Sequence, residues 1–97
     1  MTERYNGWAN YETWCVNLWL TNEQSSYNEF REMAQEFEKE QMYELGKAIK
    51  ERVEDETGEI LENFSSGSPY QGMISDVFRA SLSLVDWEEI AKGFKEE

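Results

Sequence analysis

Carboxylates are the commonest reactive group in this chain of 97 residues, with 21 Asp and Glu against nine Lys and Arg, no His, and a net charge of −12. Acids in such number could hold a cation, shuttle a proton, or face a basic partner, and each use needs its own arrangement. There is no DxDxDG calcium loop, and the lack of His removes the commonest general base and metal ligand. One Cys without His excludes an ordinary zinc site. Glycine-rich phosphate loops and the GxSxG elbow are missing too. Catalysis by paired carboxylates stays formally open, because such pairs are assembled in space. Acids this common pair by chance, however, so the chain reads as a non-enzyme that needs no cofactor. Cys15 falls on the apolar stripe of a helix, where a small buried hydrophobe is expected rather than a nucleophile.

The acids are unevenly spread. From Glu29 to Glu62 there are twelve carboxylates and five bases. The plain reading is a solvated helical surface, partly compensated by Glu36 with Lys39, Lys47 with Glu51, Lys50 with Glu54 and Arg52 with Glu56. The three i,i+4 pairs run base before acid, the weaker orientation. Yet the excess goes beyond what solubility requires and opposes compaction by self-repulsion, a cost that points to a use. A dense negative field steers a protein onto basic surfaces, and the commonest of these in a cell hold nucleic-acid backbones. Glu38, Glu40, Glu44, Glu51, Glu54, Asp55, Glu56, Glu59 and Glu62 are therefore the candidate partner-binding residues. The same charge argues against direct nucleic-acid binding and against anionic membrane surfaces. A second candidate contact is aromatic. Tyr5, Trp8, Tyr11, Trp14 and Trp19 crowd the opening, and although most are expected in the core, an exposed Trp8 or Tyr5 would anchor a partner.

These residues must be positioned by helices, since no segment alternates at period two for long enough to form a strand. The length fits a single domain over residues 1–97, and hydrophobic residues at 39% with aromatics at 14% suffice for one core. Residues 1–9 read as an N-terminal arm with a turn at Asn6-Gly7. Asn10 then caps a first helix whose Tyr11, Trp14, Cys15, Leu18 and Trp19 follow the helical period. Val16 and Leu20 widen that apolar face, which predicts that this helix is the most buried element. Asn22 is placed to cap a second helix with Tyr27, Phe30, Ala34 and Phe37 inward, supplemented by Met33. A break is expected near 39–41. Met42, Leu45, Ile49 and Val53 carry a third helix, with Gly46 either tolerated or used for close packing. Thr57-Gly58 reads as an end or kink before Ile60, Leu61 and Phe64. Residues 65–69 form the linker, with Ser68 at N-cap and Pro69 at the first position of the next helix. Tyr70, Met73, Ile74, Val77, Phe78 and Ser81 are expected on that helix's buried face. Asp86 with Glu89 is a capping-box variant opening the last helix, where Trp87, Ile90, Ala91 and Phe94 face inward. The expected fold is all-α, with four to five helices.

The string from Tyr5 to Trp14, YNGWANYETW, followed by Asn17 to Asn22, resembles the opening of a family of small phage, plasmid and prokaryotic proteins of uncharacterised function. The segment Ala80 to Ala91, ASLSLVDWEEIA, is similar to that family's closing segment. The two cover about a third of the chain, and residues 24–68, where the acidity concentrates, match no pattern. The family carries no catalytic residues across. What the resemblance implies is a mobile-element setting, in which small acidic proteins often inhibit host defence, as anti-CRISPR and anti-restriction proteins do. The leading expectation is thus a phage-type anti-CRISPR inhibitor that covers a basic groove of a host nuclease or Cas protein. The alternative is an interaction or regulatory module that binds through its aromatic opening. The single Cys and the lack of a basic-then-apolar leader predict a cytoplasmic location.

Overall fold

In the computed structural model, which describes residues 4–63 and 69–96, five α-helices and one 3-10 turn follow one another. They are α1 (Tyr11–Asn22), α2 (Gln24–Gln35), the turn Lys39–Gln41, α3 (Met42–Glu62), α4 (Pro69–Leu82) and α5 (Trp87–Glu96). The all-α expectation holds. The described residues form no strand beyond an isolated bridge between Tyr5 and Trp8.

That bridge belongs to a two-residue hairpin. Asn6 and Gly7 both take positive φ, 48° and 88°, and Tyr5 and Trp8 exchange two backbone hydrogen bonds of 2.8 Å across them. An Asn-Gly pair adopts this conformation at little cost, which is why it makes the turn. The residues on either side of the hairpin are tied to the start of α5. Ala9 N–H donates to the Glu89 carboxylate at 2.8 Å, and Arg4 forms an ion pair with the same carboxylate. Asn10 caps α1 as expected, its side-chain oxygen accepting from Thr13 N–H at 2.9 Å, while its amide donates to Leu84 O at 2.7 Å. The Thr13 hydroxyl donates to the same Asn10 oxygen at 2.6 Å and accepts the Asp86 N–H at 2.8 Å. Half of the expected capping box on α5 forms: Glu89 N–H donates to Asp86 at 3.1 Å, but the Glu89 side chain reaches back to Ala9 and Arg4 instead.

The core lies chiefly between α3 and α5, with α2 across them. Leu45 and Ile49 of α3 and Ile90 and Ala91 of α5 are fully buried, and Phe94 is edged by Tyr27 and Phe30 of α2 with ring centroids 6.2 and 5.9 Å away. Leu45, Ile49 and Ile90 each contribute about 1.5–3 kcal/mol by leaving water. The expected inward residues of α2, α3 and α5 are all buried or half-buried. Gly46 is used for close packing: a Cβ there would lie 2.9 Å from both the backbone C and O of Trp87. The indole N–H of the buried Trp87 has no hydrogen-bond partner among the described residues.

Four expectations are corrected. α1 is not the most buried element, since only Thr13 in it is fully buried and Trp19 is 68% exposed. Its inner face is Thr13, Val16 and Leu20, while Tyr11 and Leu18 of the predicted stripe stand outside. Asn22 closes α1 rather than capping α2, which starts after Glu23. α3 passes through Thr57-Gly58 without a break, the Thr57 hydroxyl donating to Val53 O at 2.6 Å one turn back. On α4 only Leu82 is buried and, of the expected face, Phe78 and Ser81 are half-buried, whereas Tyr70, Met73, Ile74 and Val77 are exposed. The predicted break at 39–41 is the 3-10 turn, and Phe37, just past the end of α2, still packs on the core. Pro69 opens α4, while Phe64, the rest of the linker and the Ser68 cap lie outside the described residues.

The two glycines of α3 make opposite predictions. Gly46→Ala forces two backbones apart and should lower stability by about 1–3 kcal/mol, despite the better helix propensity of Ala. Gly58, with nothing within 4 Å of its would-be Cβ, should gain about 0.5–1 kcal/mol as Gly58→Ala. Thermal melts of the two variants check both signs. Thr13→Val leaves the Asp86 N–H unpaired and should cost about 1–3 kcal/mol, most of which Thr13→Ser restores; denaturant titration measures it.

Candidate functional site

The nine candidate carboxylates are all exposed, but they do not form one surface. In α3 the helical repeat sorts them. Glu44, Glu51, Asp55 and Glu62 are separated by seven, four and seven residues, which places them in one line on the side opposite Leu45, Ile49 and Val53. The line is about 27 Å long at 1.5 Å per residue. None of these four takes part in an ion pair or hydrogen bond among the described residues.

The remaining candidates point elsewhere. Glu54 turns toward α4, where it lines a hollow with Leu61, Phe78 and Arg79. Glu56 is held by Arg52, whose Nε lies 3.2 Å away in ion-pair geometry, while the far end of the same guanidinium binds Glu29 of α2. Arg52 thus clamps two carboxylates across the α2–α3 seam, and Glu56 has a structural task. Glu59 stands to the side of the line, one residue before Ile60. Glu38 and Gln41 form a reciprocal capping box around the 3-10 turn, with Glu38 N–H donating to the Gln41 side chain at 2.8 Å. Glu40 is exposed on that turn. Of the four expected local pairs, only Arg52 with Glu56 closes; the others leave their charges apart. A pair absent from the sequence reading, Glu88 with Lys92 at 3.5 Å, closes on α5 in the stronger acid-first order. No three Asp, Glu or Cys side chains among the described residues converge on a common point suited to a metal ion.

The aromatic candidates part company in the same way. Trp8 is half-buried against the core, its ring 3.6 Å from where a Cβ on Gly93 would be, so it is not the free anchor anticipated. The exposed rings lie on the outer side of α1. Tyr5 packs edge-on against Tyr11 at 5.1 Å, Trp14 completes the triad at 5.1 and 5.7 Å, and Trp19 stands beyond them. The Tyr11 hydroxyl is held above its ordinary range, first by the charge that Cys15 carries when ionised and then by desolvation. α1 carries a single charged residue, Glu12, so this face is nearly free of charge. The signal that could have found it was the presence of apolar residues on two sides of α1, more than one core-facing stripe needs.

The line on α3 opposes folding by its own repulsion. Changing Glu44, Glu51, Asp55 and Glu62 together to Gln should raise the melting temperature at low ionic strength, and the gain should shrink at about 1 M salt, where the screening length falls to about 3 Å. Melts at two salt concentrations read this directly.

No helix among the described residues is long and apolar enough to cross a membrane. No match is found among curated proteins or among solved structures. One family model matches residues 1–92, taking in the hairpin, all five helices up to the middle of α5 and both candidate faces. By that match the chain belongs to the family of unknown function DUF7249.

Proposed function

We propose that this protein is a non-catalytic binding module that lays the acidic line of α3 against a basic, nucleic-acid-binding surface of a host defence protein. The observation that carries the proposal is the set of four aligned, exposed and unpaired carboxylates, Glu44, Glu51, Asp55 and Glu62. Charges kept uncompensated on one side of a rigid helix create a directional field, and a cleft of Lys and Arg built for phosphates is complementary to it. The likeness of the two chain ends to small phage and plasmid proteins supports an anti-defence inhibitor, of anti-CRISPR type, acting on a Cas protein or nuclease in the host cytoplasm. It would occupy the groove in place of nucleic acid and not bind nucleic acid itself.

A second reading is favoured by one observation, the exposure of Tyr11, Leu18 and Trp19 on a nearly uncharged helix face. Tyr and Trp are the side chains most enriched at binding hot spots, and here they are already held against one another. In that reading α1 is the interface and the acids serve solubility.

Salt and mutation separate the two. Proteins retained by the immobilised chain from a bacterial lysate are identified by mass spectrometry, then tested for nucleic-acid binding with and without this protein. On the acidic-line reading, the quadruple change of Glu44, Glu51, Asp55 and Glu62 to Lys weakens capture by roughly tenfold or more. Association slows as salt rises, and the captured protein loses its nucleic acid. Capture that survives the quadruple change but fails in Trp19→Ala would replace this reading with the aromatic one.

A further inference from the structure

In a chain whose acids outnumber its bases 21 to nine, one place reverses the ratio. A hollow of about 420 Å³ beside the last turns of α5 is lined by Lys39, Met42, Lys92, Lys95 and Glu96, three bases to one acid. The lysines come from separate elements, Lys39 from the 3-10 turn and the other two from α5. Lys39 is exposed, stands between Glu38 and Glu40 in the sequence, and pairs with no carboxylate among the described residues. Lys95 is half-buried, and its ammonium donates to Ala34 O in the last turn of α2 at 3.3 Å, so it is held in place by a carbonyl and keeps its charge uncompensated. Lys92 reaches Glu88 at 3.5 Å.

Helix stability accounts for only two of these charges. Lys92 and Lys95 complement the negative end of α5, as cations near a C-terminus do. Lys39 stands at the wrong end for that purpose, because it precedes Met42, the first residue of α3, where the helix dipole is positive and favours an anion. The same Met42 lines the hollow, so the helix end and the three ammonium groups act on one space in the same sense. Ammonium groups are compact point charges that suit a multiply charged phosphate.

Size and field restrict the ligand further. The hollow falls within the roughly 300–1,000 Å³ of small-molecule sites. A long polyanion or an anionic membrane would also meet the carboxylates that surround it, at a net charge of −12. A small ligand inside the hollow meets the lysines within one screening length, about 8 Å at physiological salt.

We infer that this hollow binds a small soluble phosphate compound, its phosphate held by Lys39, Lys92 and Lys95 beside the start of α3. The site shares no residue with the acidic line of α3 and does not depend on the proposed function.

The test titrates the full chain with inorganic pyrophosphate, followed by amide NMR shifts and by calorimetry. Binding should saturate at one site and move the amides of Met42, Lys92 and Lys95 most. The double variant Lys39→Gln, Lys92→Gln should weaken it by roughly tenfold or more, with circular dichroism unchanged because both side chains are exposed. The double variant Lys47→Gln, Lys50→Gln makes the same change in net charge away from the hollow and should leave the affinity within about twofold. Equal loss in the two double variants, or titration without saturation, overturns the inference, since the attraction is then a diffuse charge effect. So does co-sedimentation with vesicles of phosphatidylcholine and phosphatidic acid that Lys39→Gln, Lys92→Gln abolishes, because a lipid headgroup would then be the ligand.

Discussion

The hydroxyl of Thr13 is the joint on which the arrangement depends. It is the one fully buried polar side chain among the described residues, and it is satisfied from both ends of the chain, donating to Asn10 and accepting from Asp86. A buried backbone N–H must have a partner or lose about 1–3 kcal/mol, so the start of α5 is fixed by a residue more than seventy positions earlier. Glu89 repeats the link by binding Ala9 and Arg4. α5 in turn supplies Trp87, Ile90, Ala91 and Phe94 to the core that α2 and α3 complete. The N-terminal segment and the segment that opens α5 are therefore halves of one contact.

With the ends locked, the middle is left to carry charge. α3 presents a narrow apolar side to α5, closely enough at Gly46 that no side chain fits there. The rest of its circumference is free to be acidic. The repulsion is carried by a long helix held by Leu45, Ile49 and Val53 and braced to α2 through Arg52. A helix so anchored keeps its carboxylates at the helical spacing, which a flexible acidic tail could not do.

The apolar surface is divided in the same spirit. α1 and α4 use only part of their hydrophobic residues in the core, and the remainder, Tyr11 and Trp19 on one, Met73 and Val77 on the other, face water. Each of these helices is nearly neutral: α1 carries only Glu12, and α4 one acid and one base, Asp76 and Arg79. Acidic surface is thus densest on α3, while most of the exposed apolar side chains stand on α1 and α4.

Much of this was legible in the residues themselves. The helical period of Met42, Leu45, Ile49 and Val53, the cap at Asn10, the Asn-Gly turn and the inward set of α5 follow from local stereochemistry, and all are found. The acidity of residues 29–62 is likewise a property of the sequence. Periodicity, however, states only that a helix has a face and not which face another element will cover. On α1 the larger stripe of Tyr11, Trp14, Leu18 and Trp19 lost to Thr13, Val16 and Leu20, the side on which Thr13 accepts the Asp86 N–H. On α4 the apolar stripe outruns the neighbours available to cover it. Which carboxylates stand together was hidden for a related reason: Glu54, Asp55 and Glu56 are consecutive in the chain, yet a helix turns 100° per residue and sends them to three sides. The sequence alone determined the helices, the Asn10 cap and the sign of the charge. Tertiary packing decided which apolar faces were buried and which acids were left aligned, because those depend on partners far along the chain.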